Sequence, residues 1–373
     1  MAAGIVVAAM LLSACGSSSS KSGSKGSSAS SGPASSAELA PIKLLAEKAE
    51  APITKWPAGA PTEPVKVAPG KLLVDITLSA TEPQSLRAAE GAVEAAKRVG
   101  WGGKILYGEF SASKTIAAIE QAIVLGANVI VTQGIEPLKY KALFKKAHEH
   151  GIVWITDFSD YPPSAELANA EVFEQTSEAG QAIAAKAIAE AGGQGQFAII
   201  SYPEYEEVKA QTQGAKEEIE KCKKCELVSI TNIASSEAEK TLPDATTGLL
   251  EKFPHLTAII NTLDSFTDTY QLPVFKSLKA KAKLYTFLGA QPTLEAMKKE
   301  EISGVIGYAL RWAGWASTDE AIRLLAHKKP GDGGVPQRIL TPQNVGPALN
   351  SGEGWTGDFN YKAEYERLWG LKK

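Results

Sequence analysis

Residues 114–156 read KTIAAIEQAIVLGANVIVTQGIEPLKYKALFKKAHEHGIVWIT, and this stretch decides the fold. Lys114 to Leu125 carries apolar residues at helical spacing and stops at Gly126, a residue that readily takes the left-handed turn closing a helix. Asn128 to Thr132 is a short apolar run that predicts a strand. Pro137 to Glu149 predicts a helix with proline in its first turn, where its missing N–H is not needed. Ile152 to Thr156 predicts a second strand. Strands that are apolar almost throughout suit a parallel sheet covered on both faces.

The alternation extends both ways. Upstream, strands are predicted at Leu72–Leu78 and Lys104–Tyr107, with a helix at Leu86–Val99 between them. Downstream, a long helix from Ser177 to Ala191 ends at Gly192-Gly193, and the pattern then restarts. Strands are predicted at 197–200, 227–230, 258–261, 284–288 and 304–309. Helices are predicted at 209–221, 238–253 (interrupted near Pro243), 270–278, 293–299 and 315–326. Beyond Val335 the chain reads as irregular, with a strand near Ile339-Leu340. The fold class is α/β, two doubly wound parallel-sheet lobes, with a ligand crevice at the carboxyl ends of the strands. A length of 373 residues is ample for two such domains.

A net charge of −3 with mixed signs and no basic stripe excludes nucleic acid as a partner. The apolar run from Ala2 to Met10 is shorter than the about 20 residues of a spanning helix. It leads into Leu11-Leu12-Ser13-Ala14-Cys15, which resembles the lipobox of bacterial lipoproteins. The resemblance implies a signal peptide over residues 1–14 and acylation of Cys15. It also implies a protein at the cell surface or in the periplasm, tethered to the outer face of the cytoplasmic membrane. No cation precedes the run, and the first is Lys21, so the true start is expected upstream. Residues 15–70 then read as the lipidated cysteine, a flexible Ser/Gly tether, a short helix at 37–50, and a Pro-rich extended segment. Trp56 in that segment is expected to rest on the globular body. In an oxidising compartment Cys222 and Cys225 are expected to form a small structural disulfide.

The order of units from Lys71 to about Leu340 resembles the type I periplasmic binding proteins, the ribose-binding-protein group of solute receptors for ABC importers. The resemblance is carried by Gly91-x-x-Glu94-Ala95-Ala96 and by Ala118-x-x-Gln121-Ala122-x-x-x-Gly126-Ala127-Asn128-Val129-Ile130. Gly151 to Asp157 and the tail Tyr365-x-x-Leu368-Trp369-Gly370 add to it. It implies a three-segment hinge near Thr176, Ala309–Arg311 and Leu340–Pro342. Lobe 1 would be 71–176 plus 310–340, and lobe 2 would be 177–309 plus 341–373.

Ligand contacts are expected in the loops after the strands. In lobe 1 the candidates are Ser79, Thr81, Gln84, Phe110, Gln133, Asp157 and Phe158. In lobe 2 they are Tyr202, Tyr205, Lys209, Asp264 and Gln291. Arg311 and Trp312 are candidates at the second crossing. The resemblance places Asp157-Phe158 where sugar binders of the family carry Asp-Arg. Leu263 and Leu288 stand at two places where those sugar binders have polar ligands. A site that pairs hydroxyls penalises leaving them unpaired, so a less hydroxylated solute is expected.

No catalytic set is found, and no cofactor or metal is expected. His148, His150, His255 and His327 lack ligand spacing. The resemblance implies a membrane-anchored monomer that captures a small molecule and delivers it to an ABC permease. The alternative is a receptor of the same fold that reports its ligand to a membrane sensor kinase.

Overall fold

Five parallel strands form the first sheet, in the order β2-β1-β3-β4-β5. They are β1 (Leu72–Thr77), β2 (Gly102–Tyr107), β3 (Val129–Gln133), β4 (Val153–Asp157) and β5 (Ala170–Val172). The computed structural model describes residues 35–80, 82–159, 167–172 and 175–371, so the apolar leader and Cys15 lie outside the described residues. Successive strand residues face opposite sides. Leu73, Val129, Val131 and Ile155 join the core on the side of α2 (Pro83–Arg98). Val74, Ile76, Ile130 and Trp154 pack on the other side with residues of α3 (Ala112–Val124) and α4 (Lys141–Glu149).

Strand β5 was not expected. It is the short string Ala-Glu-Val, with a carboxylate in the middle. Glu171 is buried there because Thr156 Oγ1, Ser159 N and Ser159 Oγ all donate to its carboxylate.

After β5 the chain enters the second lobe as α5 (Thr176–Glu190). There follow β6 (Gly195–Ser201), α6 (Glu206–Lys221), β7 (Cys225–Asn232), α7 (Ala238–Lys252) and β8 (Leu256–Asn261). Next come α8 (Asp264–Phe266), a π-turn (Thr267–Gln271), α9 (Leu272–Leu278), β9 (Lys283–Leu288), α10 (Gln291–Lys298) and β10 (Gly304–Tyr308). Helix α7 runs through Pro243 unbroken, held by its buried face of Ala238, Leu242 and Leu249. Helix α11 (Leu310–Leu325) then packs on α2, back in the first lobe. The second sheet has the order β11-β10-β9-β8-β6-β7, with β11 (Gln337–Leu340) antiparallel to β10 and the rest parallel.

Each lobe thus holds one helix that arrives from the other, seated almost backbone to backbone. A Cβ on Gly180 of α5 would lie 2.1 Å from Gln211 O, and one on Gly214 of α6 would lie 2.0 Å from Ser177 O. The first lobe repeats the device: a Cβ on Gly91 of α2 would lie 2.3 Å from Arg311 O, and one on Gly314 of α11 would lie 2.0 Å from Ala88 O.

The expected lobe boundaries need correction. The crossing placed at Leu340–Pro342 lies earlier, between Ala326 and Gln337, because β11 already pairs with β10. The C-terminal segment does not stay in the second lobe. Trp355 N donates to Gly289 O at 3.2 Å, but α13 (Tyr361–Leu368) packs on α11 after α12 (Gly346–Leu349), and Val65 N donates to Leu368 O at 2.9 Å. The N-terminal segment crosses as well. Helix α1 (Ser36–Glu50) packs on α5, whereas Trp56 stacks on Trp312 of α11 at 5.5 Å. The two lobes are therefore strapped by both ends of the globular chain. Both ends are anchored by aromatic and apolar burial that strand periodicity does not reveal.

Candidate ligand cleft

The carboxyl ends of the two sheets face one another across a single cleft. In the first lobe Leu78 follows β1, Phe110 follows β2, Gly134 follows β3 and Phe158 follows β4. In the second, Tyr205 follows β6, Leu263 and Phe266 follow β8, and Leu288 ends β9. Together they enclose a chamber of about 110 Å³. It shares Leu78, Phe110, Tyr205, Glu207 and Phe266 with an outer bay of about 620 Å³. Phe110 (φ 51°), Phe158 (φ 56°) and Leu288 (φ 90°) hold left-handed backbone that side chains other than glycine seldom take. Strain of this kind gathers where a site over-determines its backbone.

Among the described residues, a hydrogen bond between Gln84 and Asp264 joins lobe to lobe across the cleft. Gln84 Nε2, at the start of α2, donates to Asp264 Oδ1 at 2.6 Å. Asp264 Oδ2 also accepts from Ala290 N at 2.7 Å and lies 3.0 Å from Thr293 Oγ1. Thr293 Oγ1 lies 2.6 Å from Asp268 Oδ2 as well. A hydroxyl has one proton, so Thr293 can donate to one carboxyl and must accept from the other. Burial pushes Asp264 up to about 6. Burial, with the Asp264 charge added, pushes Asp268 up to about 8. Asp268 is therefore the proton holder at neutral pH.

Burial and the neighbouring Asp319 charge likewise push Glu320 of α11 up to about 7. A carboxyl raised by folding binds its proton more tightly in the folded chain, so stability falls as pH rises through the raised value. The melting temperature is expected to rise by several kelvin, in order of magnitude, from about pH 8 to about pH 5.5. Asp268→Asn should flatten that slope. A wild-type melting temperature that is level or falls over this window would contradict the assignment. Glu94 and Glu364, whose values are lowered, lose their contribution only below the ordinary carboxylate range.

The structure brings Gln84, Phe110, Phe158 and Tyr205 to the chamber, and Asp264 beside it as the partner of Gln84. The other candidates lie elsewhere. Asp157 does not line the cleft: it is fully buried against α11, where Ser317 Oγ donates to its Oδ2 at 3.4 Å. Gln133 is equally buried and donates to Asp75 Oδ2 at 3.1 Å. Both point to the α2–α11 face because alternation leaves the next residues, Gly134 and Phe158, to meet the cleft.

Ser79 is buried with its Oγ on Glu109 Oε2 at 3.2 Å, and Tyr202 is buried behind Phe266 at 5.0 Å between rings. Lys209 is solvent-exposed and paired with Glu206. Gln291 holds the C-terminal segment, accepting from Gly354 N at 3.3 Å. Arg311 is taken by Glu90, Glu94 and Glu353 at 2.8–3.2 Å. Trp312 is a core residue, stacked between Trp56 and Tyr361 at 5.5 and 4.8 Å. Thr81 and Cys15 lie outside the described residues. Cys222 and Cys225 are bonded, with Cα atoms 5.2 Å apart.

Sequence reasoning missed Leu78, Glu82, Ser85, Glu207, Gln211 and Phe266, all of which line the chamber. The strand-end rule could have found Leu78 and Phe266. Glu82 carried a capping signal instead, since its carboxylate accepts from Gln84 N and Ser85 N at 3.1 and 2.7 Å.

A family model described as a periplasmic binding protein domain matches residues 79–329. No curated protein is significantly similar in sequence. Among solved structures, an ABC transporter solute-binding protein from Burkholderia graminis C4D1M in complex with D-arabinose is similar at 20% identity. That match covers 75% of this chain and 98% of the other, with a TM-score of 0.68. GanP, a glucose-galactose binding protein from Geobacillus stearothermophilus, is similar at 16% identity, over 75% and 100% of the two chains, with a TM-score of 0.67. A solute-binding protein from Bacillus halodurans C-125 with bound myo-inositol gives 15%, 76%, 99% and 0.66 in the same order.

Proposed function

The chain belongs to the periplasmic binding protein domain family, and on that premise we propose that it is the extracytoplasmic solute receptor of an ABC transporter. It is a binding protein and not an enzyme. It takes a small molecule between its two lobes and presents the closed form to a permease. The observation that carries this reading is the chamber itself. Loops from the carboxyl ends of both sheets build it, and the Gln84–Asp264 bond joins its two walls. A solute touching both walls favours closure by as much as it binds the closed form better than the open one.

The lipobox-like string ending at Cys15 supports a lipid anchor on the outer face of the cytoplasmic membrane. The Ser/Gly tract that follows supplies reach, so that a monomeric receptor stays near its permease. Sugars and polyols are one candidate solute class, and the leucines at 263 and 288 favour something less hydroxylated.

The test is a thermal-shift panel of sugars, polyols, amino acids, nucleosides, and aromatic acids and amines. A true solute at a hundred times its Kd stabilises the protein by about 2.7 kcal/mol. A panel in which nothing stabilises the protein contradicts the receptor reading.

A further inference from the structure

Resting on the solute-receptor reading, we propose that the solute is an amphipathic cation, a small aromatic ring bearing a protonated amine. Three independent features of the chamber converge on that class.

The first is charge. Among the described residues lining the chamber, Glu82 and Glu207 are carboxylates and none is Lys, Arg or His. In the outer bay Lys139 is the one cation among the described lining residues, and it is paired with Glu136 at 2.6 Å. Glu204, which accepts from Ser235 N, and Glu206, which pairs with Lys209, also line the bay. An anionic solute would meet these carboxylates with no lining cation among the described residues of the chamber, whereas an ammonium group would be attracted to them.

The second is the direction of the hydrogen bonds. Gln84 is 5% exposed, and one of its two amide N–H groups is committed to the Asp264 carboxylate, which can only accept. Its Oε1 is buried without a partner. Gln211 is 2% exposed, with its amide 3.4 Å from Tyr308 Oη, a hydroxyl that can donate or accept. The Gln84 amide oxygen is thus left for a donor, which a solute bearing N–H or O–H groups supplies.

The third is the wall. Phe110, Phe158 and Phe266 present rings to the chamber. Aromatic faces stack on a ring and attract a cation within about 6 Å.

Isothermal titration of the protein with phenethylamine and tyramine tests the assignment, against phenylacetate, D-arabinose and myo-inositol. The amines are expected to bind, and phenylacetate, the same ring with the opposite charge, is not. Glu207→Gln is expected to weaken amine binding about tenfold or more while keeping the wild-type melting temperature. If that variant does not fold, the salt dependence of wild-type binding decides instead. Amine affinity should fall several-fold between about 20 mM and about 500 mM salt.

The inference is overturned if neither amine binds, or if phenylacetate or a sugar binds at least as tightly. It is equally overturned if affinity is indifferent to both the Glu207 charge and salt. A sugar that binds would remove the cationic solute and leave the receptor reading standing. Only a broad panel without any ligand removes both.

Discussion

Replacing Gly314 by valine is expected to leave little or no folded protein. A Cβ at this position lies 2.0 Å from Ala88 O and 2.4 Å from Ala92 N. Both are backbone atoms of α2, so no side-chain rotation relieves the overlap. The two helices would have to part, uncovering the buried alanines 88, 92 and 95 and Trp315 beside them. Overlap with backbone in a packed core belongs among the exceptional substitutions that cost more than about 4–5 kcal/mol. That is comparable to the whole stability of many domains, about 5–15 kcal/mol. Gly248 of α7 supplies the control, because a Cβ there meets nothing within 4 Å. Gly248→Ala should stabilise by up to about 1 kcal/mol through helix propensity. Thermal unfolding followed by circular dichroism checks both. A Gly314→Val protein melting within a few kelvin of wild type would show that α2 and α11 are not packed this closely.

Trp312→Ala is the second large effect, and it separates two roles for one residue. As a side chain stacking on the solute it would change affinity and leave stability nearly untouched. The structure makes it the keystone of the strap instead. It is fully buried, with Trp56 from the N-terminal segment on one side and Tyr361 from the C-terminal segment on the other. Removing a buried indole from such a cluster costs about 3–5 kcal/mol. Urea denaturation should show that loss, while solute affinity, measured below the onset of unfolding, stays within about twofold of wild type. Lost affinity with unchanged stability would return Trp312 to the binding site.

Much of the fold was legible because its strands are buried on both faces and its helices are amphipathic. Both patterns survive in a single sequence. Strand β5 was hidden because its one charged residue, Glu171, is satisfied by Thr156 and Ser159 from the neighbouring strand and loop, a pairing that exists only after folding. That Trp56 rests on the globular body was legible, but its partners were hidden for the same reason. Trp56 and Tyr361 are far apart in sequence and meet only on Trp312.

At the cleft, the strand-end rule picked out Phe110, Phe158 and Tyr205, which the structure brings to the chamber lining. It failed by a single residue at Asp157 and Gln133, where one step along a strand turns a side chain to the other face. Arg311 looked available because none of its three carboxylate partners is adjacent in sequence; two lie on α2 and one lies beyond β11. The leucines at 263 and 288 were the most useful departure from the family pattern. They announced an apolar chamber before its walls could be seen.

The central claim is that solute binds in the chamber between the lobes, and plugging that chamber tests it most directly. Ser265 lines the chamber and is only half-buried, so Ser265→Trp directs an indole into about 110 Å³ without breaking a core contact. The measurement is the thermal shift of this variant with whichever solute stabilises the wild type, at a hundred times the wild-type Kd. The account predicts a cooperative melt near the wild-type temperature and no shift, where the wild type gains about 2.7 kcal/mol. A Ser265→Trp protein stabilised as strongly as wild type would place the solute elsewhere and contradict the account.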